Sequence, residues 1–376
     1  MIINTSAGSL IEKEWKSVKT YGIILKSKER RENRMDKIPY ALRVRLSKDV
    51  PADGQFRVMK RIPQFDGPEV FNIAPAPEKK PGSIQAAVFN MEHGYRIREI
   101  APFLQTCPEL KDADILFGNE MDDGTERSGN IDTAKELAHL LGYNYAYGLE
   151  FIELVNPNDE KGYEGNVLFS KWPIVRAKTL YTPEGYNWYF DEQVRIGARV
   201  AVLCELDVAG KHIGAVCIHL ENRTSPEFRA VQTKAILDDA DQFFGNIPIL
   251  VGGDFNSNAF EDSKESAREY YEWQRATGGM RDVEKYEPLL STAERSGYDY
   301  RSLNGNHIPT RRKPMKGGNL ELHLDWIFGK NVECLEHGWV STLKKDCTWA
   351  PEGSIVHSMT QDQLSDHNAV WAQIRL

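Results

Sequence analysis

Cysteine is scarce in this sequence of 376 residues. The five cysteines are widely spaced and form no C-x-x-C pair, and two of them, Cys204 and Cys217, lie inside apolar runs. This distribution argues against a disulfide framework and against a zinc knuckle, and it is typical of buried, reduced thiols. The sequence therefore predicts a reducing environment, with the cytoplasm as the expected location.

Long apolar runs and excess positive charge are also missing. No run approaches the roughly 20 residues of a membrane span, and residues 1–19 lack the apolar centre of a secretion signal. Lys and Arg number 47 against 55 Asp and Glu, for a net charge of -8. This acidic balance disfavours a protein whose main task is to coat nucleic acid. It does not exclude a nuclease, because a local basic edge beside a metal suffices.

Several enzyme motifs are absent as well. The sequence contains no G-x-S-x-G, Walker or G-x-G-x-x-G pattern, which argues against the three enzyme classes that depend on them. A binuclear metallophosphatase is an alternative, because residues 305–307 read GNH and residues 252–256 read GGDFN. However, the chain has no D-x-H start and no G-H-x-H finish, so this alternative explains only two motifs.

The chain divides into two parts by composition. Residues 1–82 are predicted to be an N-terminal extension with a mixed-charge run at 26–37, a short strand at 40–46 (YALRVRL) and a proline-rich linker at 72–82. Residues 83–376 are predicted to form the catalytic domain, which is long enough to bury a sizeable core.

From residue 83 onward, short apolar runs alternate with turns and amphipathic segments. The strand-like runs are IQAAVF, DILF, NVLF, RVAVLCEL, HIGAVCIHL, IPILV, HLDWIF and NAVWAQI. The segments IDTAKELAHLLG, EFRAVQTKAILDDADQFF and SKESAREYYEWQRAT are typical of helices, and Gly142 is a natural C-terminal stop for the first. Because several strand runs are apolar throughout, we predict an α/β domain with stacked sheets and outer helices.

Polar side chains follow these strands at the point where each strand ends. They are Asn90, Glu92, Glu120, His219, Asp254 and Asn256. Each one alone is commonly a turn residue, a cap or a hydrogen-bonded core residue. Because the pattern recurs at several strands, and because Gly252 and Gly253 allow close approach, we expect one shared rim.

Two acid and histidine pairs add to this set. Asp325 lies in the apolar run HLDWIF, with His323 on the same predicted strand face, and an unpaired carboxylate would be costly to bury there. Asp366 and His367 begin the last strand-like run, and His367 is the predicted partner of Asp325. For the two pairs to meet the other groups, the last strand should run antiparallel to the strands that deliver them.

These residue types suit metal-assisted hydrolysis of a phosphate ester. Hard oxygen ligands, which favour Mg²⁺ or Mn²⁺ over Zn²⁺, would come from Glu120 and Asp366, helped by Asn90 or Glu92. An Asp and His pair supplies a general base with a fixed tautomer. Asn256 can donate to a phosphate oxygen, and His219 can stabilise the charge that develops there.

The motifs together resemble a known family. VFNMEHG, ILFGNEMD, GNVLFSKWPI, VCIHLEN, LVGGDFNS, HLDWIF and the terminal LSDHNAV are similar, in this order, to the endonuclease/exonuclease/phosphatase superfamily of deoxyribonuclease I-like enzymes. The resemblance covers about residues 83–376, and GGDFN with the terminal SDH is its specific part. It implies an α/β fold, a four-layer α-β-β-α sandwich with two stacked mixed or antiparallel sheets, and Mg²⁺-dependent phosphoester cleavage.

The resemblance also implies roles for individual residues. Glu120 would be the principal metal ligand, with Asn90 and Asp366 in or near the metal shell. Asp254 and Asn256 would position water and phosphate, His367 would be the base or phosphate-activating histidine oriented by Asp325, and His219 would match a second histidine. The arginine that contacts substrate phosphate would be Arg195 or Arg199, and Asn166 is a further candidate. The chain departs from the pattern at Asn119, where many members have Gln, and at Glu92.

Two insertions bear on the substrate. Residues 181–193 are rich in aromatics, and residues 301–318 contain the basic cluster of Arg311, Arg312 and Lys313. An aromatic loop beside a basic one would suit a nucleic-acid base next to its phosphate, or an amphipathic phosphorylated molecule. A nuclease is therefore predicted first, with a lipid or small-molecule phosphodiesterase or phosphatase as the alternative, and a non-catalytic binding module third. No obligate protein partner is inferred.

Overall fold

Two β-sheets packed face to face form the centre of the computed structural model, which describes residues 21–24, 35–78, 81–261 and 263–375. The strands are β1 (Tyr21–Ile24), β2 (Glu69–Phe71), β3 (Ser83–Asn90), β4 (Ile115–Asp123), β5 (Asn144–Glu153), β6 (Tyr163–Ser170), β7 (Ile174–Tyr181), β8 (Arg195–Gly197), β9 (Val200–Val208), β10 (Lys211–His219), β11 (Ile249–Asp254), β12 (Arg311–Met315), β13 (Gly318–Leu322), β14 (Asp325–Lys330), β15 (Glu333–Val340) and β16 (Ala369–Arg375).

The helices lie outside the sheets and at their ends. They are α1 (Tyr40–Ser47), α2 (Val50–Asp53), α3 (Gln55–Met59), α4 (Ile97–Thr106), α5 (Thr133–Leu141), α6 (Pro226–Phe244), α7 (Lys264–Thr277), α8 (Val283–Tyr286), α9 (Pro288–Arg295) and α10 (Ile355–Ser358). Short 3₁₀ helices lie at Pro63–Phe65, Glu92–Gly94, Glu126–Ser128, Trp188–Phe190 and Lys344–Asp346.

Both sheets are mixed. The first has the order β1-β7-β9-β10-β11-β14, in which only β10 and β11 pair in parallel. The second has the order β15-β16-β3-β4-β6-β5-β2, with β8 also pairing with β5, and its parallel pair is β3 and β4. β16 runs antiparallel to β3, as predicted from the position of the terminal acid and histidine.

Three apolar clusters define the layers. The inter-sheet cluster joins β3, β4 and β16 to β9, β10 and β11, and its members include Val88, Phe117, Cys204 and Leu250. The second sheet's outer face packs against α4 and α5, and the first sheet's outer face packs against α6 and α9. The predicted four-layer fold with two stacked sheets is therefore confirmed.

Of the described N-terminal residues, β1 pairs with β7 of the first sheet, and residues 35–65 pack against the second sheet. The strand predicted at 40–46 is wrong, because this segment forms α1. From this helix the buried Arg43 donates to the carbonyl oxygens of Asp159 at 2.7 Å and Lys161 at 2.6 Å. The mixed-charge run at 26–37 lies mostly outside the described residues, and the described part of the linker at 72–82 contains no helix or strand. The boundary at residue 83 remains a prediction, although β2 pairs with β5 from the extension side.

Most elements predicted for residues 83–376 are confirmed. All eight strand-like runs and all three helical segments coincide with elements of the structure, and Gly142 ends α5 in the left-handed conformation with φ of 69°. His323 is an exception, because β14 begins only at Asp325. All five cysteines are free thiols. Among the residues that the structure describes, no helix has the length and apolar character needed to cross a membrane.

Candidate active site

Neighbouring strands deliver the predicted polar groups to one region. In the first sheet, His219 at the end of β10 lies opposite Asp254 at the end of β11, and Asp254 lies opposite Asp325 at the start of β14. In the second sheet, Asn90 ends β3, and Glu120 lies in β4 where the register with β6 shifts. The strand-end cluster, as we name it, consists of Asn90, Glu120, His219, Asp254, Asp325 and His367.

Asn90 connects the two sheets within this cluster. Its side-chain Nδ2 donates to Glu120 Oε1 at 3.0 Å and to Asp254 Oδ2 at 3.1 Å. Glu120 has a φ of 53°, a left-handed conformation that is uncommon for a non-glycine residue and is concentrated at functional sites. The shifted register and this conformation together turn the Glu120 carboxylate toward Asp254.

A divalent cation fits the donors found here. The ligand atoms of Glu120, His219 and Asp254 all lie within 4.8 Å of one another. Burial raises the pKa of Glu120, but the neighbouring His93, His219 and His367 outweigh burial and lower it to about 2, so the carboxylate is ionised at neutral pH. Ionised carboxylates beside an amide are the donor type that Mg²⁺ and Mn²⁺ prefer.

His367 and Asp325 form the pair predicted from the sequence. His367 Nδ1 lies 2.8 Å from Asp325 Oδ2, and both side chains are almost fully buried. Burial lowers the pKa of His367, but Asp325, followed by Asp254 and Asp366, outweighs burial and raises it to about 9. His367 Nε2 has no hydrogen-bond partner among the described residues and lies 3.7 Å from Asp254 Oδ2. The free ring nitrogen therefore faces the centre of the cluster.

The turn before β16 is tied to the end of β3. Ser365 Oγ donates to the Asn90 carbonyl oxygen at 2.7 Å and accepts from the His367 backbone N–H at 3.0 Å. The last strand therefore brings His367 into register with the residue that links Glu120 and Asp254.

His219 approaches Asp254 from the other side. Its Nε2 lies 3.7 Å from Asp254 Oδ2, and its Nδ1 lies 3.4 Å from Glu150 Oε2 and 3.0 Å from Arg199 Nη1. Burial and Arg199 lower the pKa of His219, but Glu150 and Asp254 outweigh them, so its pKa is raised. Glu150 is fully buried in β5, a strand that the sequence patterns did not reveal.

The GGDFN stretch is held by close backbone approach and by side-chain hydrogen bonds. Gly253 has a φ of 148°, and a Cβ there would lie 1.9 Å from the Ile218 carbonyl oxygen, so this position requires glycine. Asp254 Oδ1 accepts from the Asn256 backbone N–H at 2.8 Å, and Asn256 Nδ2 donates to the Leu220 carbonyl oxygen at 2.9 Å. Asn256 is thus anchored beside Asp254, with its Nδ2 directed at the backbone.

Asn119, the departure noted beside Glu120, links the two sheets. Its Oδ1 accepts from the Asp254 backbone N–H at 2.9 Å, and its Nδ2 donates to the Ile218 carbonyl oxygen at 2.7 Å and to Asn166 Oδ1 at 2.9 Å. Asn166 is fully buried and donates to the Val200 carbonyl oxygen at 3.0 Å. Both amides therefore hold the strands that carry the cluster.

Both candidates for the phosphate-binding arginine, Arg195 and Arg199, form ion pairs with carboxylates. Arg199 Nη1 lies 3.0 Å from Glu150 Oε1 and its Nε lies 3.4 Å from Glu221 Oε2. Arg195 belongs to a separate ionic network, with its Nη2 3.1 Å from Glu153 Oε1 and 3.5 Å from Glu164 Oε2. Both side chains are buried. The structure thus brings Arg199 to His219 but places Arg195 in the neighbouring network.

Asp366 and Glu92 lie at the margin of the cluster. Asp366 Oδ2 forms an ion pair with Arg311 Nη2 at 2.7 Å, and its Oδ1 is 3.9 Å from His367 Nε2. Glu92 Oε2 accepts from Arg96 Nη1 at 3.0 Å and from the Asp366 backbone N–H at 3.2 Å. Glu92 lies beyond the strand, because β3 ends at Asn90 and the chain turns there.

His93 is a neighbour that the sequence patterns did not single out. Its Nε2 lies 3.6 Å from Glu120 Oε2, and its Nδ1 lies 3.5 Å from Glu164 Oε2. His93, Asp122 and Glu164 form a second compact group of potential ligands, but Arg127 already pairs with Asp122 at 2.7 Å and with Glu164 at 2.8 Å. This group is therefore an ionic network beside Glu120. The signal for His93 in the sequence is its position in NMEHG, next to the candidate ligands Asn90 and Glu92.

The two insertions differ from their predicted form. In the aromatic loop Trp188 is buried and its Nε1 donates to Glu221 Oε2 at 2.9 Å, whereas Phe190 is 67% exposed. The predicted basic loop continues into the β12–β13 hairpin, where Arg312 is buried. His307 and His323 line a separate cavity of about 200 Å³ that includes no member of the strand-end cluster. The GNH motif of the metallophosphatase alternative therefore lies outside the strand-end cluster.

The chain is similar in fold to solved structures. An endonuclease/exonuclease/phosphatase from Beutenbergia cavernae DSM 12333 is 18% identical, covers 79% of this chain and 72% of that chain, and has a TM-score of 0.52. The human Nocturnin catalytic domain with bound sulfate anion is 16% identical over 83% of this chain and 98% of that chain, with a TM-score of 0.48. D. rerio TDP2 complexed with single strand DNA product is 12% identical over 79% of this chain and 100% of that chain, with a TM-score of 0.47. At these identities the first structure supports the fold alone.

The family comparison covers most of residues 83–376. Curated protein sequences give no significant match to the chain. The model of the Endonuclease/Exonuclease/phosphatase family matches residues 87–367, a range that begins in β3 and ends at His367. Members of this family are phosphoester hydrolases that generally use divalent metals. Because the match spans more than half of the sequence, the chain belongs to the endonuclease/exonuclease/phosphatase family.

Proposed function

We propose that this protein is a divalent-metal-dependent phosphodiesterase that acts on nucleic acid. The observation that carries the proposal is the buried Asp325–His367 pair, whose free Nε2 faces Asp254 next to the Asn90–Glu120 contact. A histidine held at one ring nitrogen, with the other nitrogen free to exchange a proton, beside the ionised Glu120 carboxylate, supplies both proton transfer and a cation site.

Glu120 is the proposed principal ligand for Mg²⁺, or for Mn²⁺, with Asn90 beside it. Asp366 is a further candidate ligand, but it would first have to leave its ion pair with Arg311. A bound divalent ion would polarise the phosphoryl group and stabilise the charge that develops on it.

The protein's own residues position the reacting groups. Asp325 accepts the Nδ1 proton of His367, so Nε2 is the ring nitrogen that gains and loses a proton. We propose that this Nε2 either exchanges a proton with the attacking group or donates a hydrogen bond to the phosphate group. Asp254 and Asn256 orient the water and the phosphate oxygen, Asn256 through the second N–H of the Nδ2 that donates to the Leu220 carbonyl oxygen. His219, held by Glu150 and Arg199, stabilises developing negative charge.

An exposed aromatic near the cluster supports nucleic acid as the substrate. The Tyr95 side chain is 42% exposed, and its ring lies edge-on to His93 with centroids 5.3 Å apart. His93 in turn contacts Glu120. A base can stack on such a ring while its phosphate lies at the cluster.

A lipid or small-molecule phosphoester is the second candidate substrate. The observation that favours it is the burial of Arg312, which removes one cation from the basic loop predicted to bind a polyanion. The net charge of -8 points the same way. A non-catalytic binding module is the third candidate.

The test is a substrate panel with matched variants. Purified protein is incubated with single-stranded DNA, duplex DNA, RNA, sphingomyelin and a generic phosphodiester, each with Mg²⁺, Mn²⁺ or EDTA. We expect nucleic-acid cleavage that EDTA abolishes and that His367→Ala slows about 10²- to 10⁴-fold, the usual contribution of general acid–base catalysis. His337→Ala, an exposed histidine on β15, is the control.

The other outcomes separate the candidates. Cleavage of only the lipid or small ester would favour the second candidate. If no substrate is cut and no Mg²⁺ binds, the hydrolase proposal is contradicted.

A further inference from the structure

The two arginines at the start of β12 lie on opposite faces of the strand. Successive side chains of a strand alternate, and here the alternation separates Arg311 from Arg312. Arg312 is 6% exposed and donates to Gln363 Oε1 at 3.0 Å, to Thr342 Oγ1 at 2.8 Å, to the Ser365 carbonyl oxygen at 2.5 Å and to Asn368 Oδ1. These hydrogen bonds hold the turn that carries His367.

Arg311 faces the strand-end cluster instead. Its backbone lies opposite His367 in an isolated antiparallel bridge, and its side chain is 26% exposed. Burial lowers the pKa of Arg311, but the carboxylates of Asp366, Glu120 and Asp254 outweigh it, so the pKa is raised. The guanidinium therefore lies within the electrostatic field of the same carboxylates that form the cluster.

Arg311 also has donors left over. Among the described residues its ion pair is the single contact between Nη2 and Asp366 Oδ2, and its buried Nε–H has no hydrogen-bond partner. A guanidinium carries five N–H donors arranged to bind an oxyanion through two parallel bonds. Arg199 also has a buried Nε–H without a hydrogen-bond partner among the described residues, but its guanidinium already contacts two carboxylates and His219.

We propose that Arg311 binds the phosphoryl group of the substrate, the role for which the family resemblance offered Arg195 or Arg199. The inference rests on the proposed function, since it places the phosphoryl group at the same cluster. Asp366 holds the guanidinium in place through Nη2, while the remaining N–H groups, including Nε–H, face the substrate oxygens. The ligand class is thus a phosphate oxyanion, bound between Arg311 and His367.

The first measurement uses inorganic phosphate, so that it is independent of turnover. Phosphate binding to the full chain with Mg²⁺ is followed by calorimetry for the wild type, Arg311→Met and Arg311→Lys. We expect Arg311→Met to weaken binding about 10- to 100-fold, as loss of charge-assisted hydrogen bonds does. Arg311→Lys should be intermediate, because it keeps the charge but loses the two-bond geometry. Arg268→Met, on α7 and 65% exposed, is the matched control.

The second measurement is steady-state hydrolysis of the generic phosphodiester. We expect Arg311→Met to raise KM in proportion to its loss of phosphate affinity, and thermal unfolding of each variant shows whether it is folded. Should Arg311→Met not fold, Arg311→Lys supplies the same comparison. Wild-type phosphate affinity and KM in a folded Arg311 variant would overturn the inference, as would a wild type that binds no phosphate. A wild type that binds phosphate through Arg311 but cuts no ester would contradict the proposed function alone.

Discussion

Replacing Asp325 by Asn tests the histidine pair with the smallest possible change in shape. The substitution removes the negative charge 2.8 Å from His367 Nδ1 and keeps a group of the same size. Without that charge, burial is opposed by carboxylates that lie farther from the ring, among them Asp254 and Asp366. The pKa of His367 should therefore fall from about 9 toward or below its ordinary value of 6.5.

The size of the effect follows from that shift. Between 6.5 and about 9, at about 1.4 kcal/mol per pKa unit, His367 contributes about 3 kcal/mol to stability. This is an upper value, because burial raises the pKa of Asp325 and so works in the opposite sense. Since the folded pKa of His367 is the higher one, the contribution is complete below pH 6.5 and is lost as the pH rises through 9.

Two assays on Asp325→Asn check this reasoning. NMR titration of the His367 ring in metal-free protein should show the lowered pKa, and urea unfolding should show a flatter pH dependence between pH 6.5 and 9 than in the wild type. Hydrolysis should fall about 10²- to 10⁴-fold if His367 transfers a proton. Asp241→Asn, which removes an ion pair with Lys330 at the other end of β14, should leave the His367 pKa and hydrolysis unchanged. An unchanged His367 pKa in Asp325→Asn would refute the assigned cause.

Three further substitutions test the framework of the site. Glu287→Gln, which breaks the fully buried pair with Arg229, should lower the free energy of unfolding by about 3 to 5 kcal/mol in urea denaturation. Gly253→Ala should destabilise the protein by more than about 1 kcal/mol in the same assay, because its Cβ would meet the Ile218 carbonyl oxygen. Arg312→Met should lower kcat with little change in KM, because the turn that positions His367 loses its hydrogen bonds.

One exposed pair serves as the control for all three. Lys234→Ala on α6 removes an ion pair with Asp238 in which both side chains are more than half exposed, so the expected change in unfolding free energy is within about 0.5 kcal/mol. If Glu287→Gln changes stability no more than Lys234→Ala does, the buried pair does not have the role assigned to it. We assign phosphate binding to Arg311 and support of the His367 turn to Arg312. A KM increase in Arg312→Met equal to that in Arg311→Met would contradict this assignment.

The sequence predicted the strands whose side chains are apolar on both faces, because local composition alone specifies them. β9, β10 and β11 are of this type. β5 could not be found in this way, since its Asn144 and Glu150 are polar and are buried only through partners distant in the chain. β15 is largely exposed, so its residues carry no burial pattern.

The meeting of polar side chains at strand ends was predictable for a similar reason. A strand end is visible locally, and the Asp325–His367 contact followed from the need of a buried carboxylate for a partner. The arginines were not predictable, because identical side chains at 311 and 312 differ only in what the hairpin places around them. The ion pair of Arg199 was not predictable either, because its partner Glu150 lies on β5, a strand that the sequence patterns did not reveal.

Glu120→Gln gives the most direct test of a metal-dependent hydrolase. Mg²⁺ and Mn²⁺ binding by calorimetry and hydrolysis of a phosphodiester are measured together on the wild type, on Glu120→Gln and on the exposed control Glu272→Gln. The wild type and Glu272→Gln should bind the ion and cut the ester, and Glu120→Gln should lose both properties while remaining folded. Ion binding and hydrolysis at wild-type levels in Glu120→Gln would contradict the account.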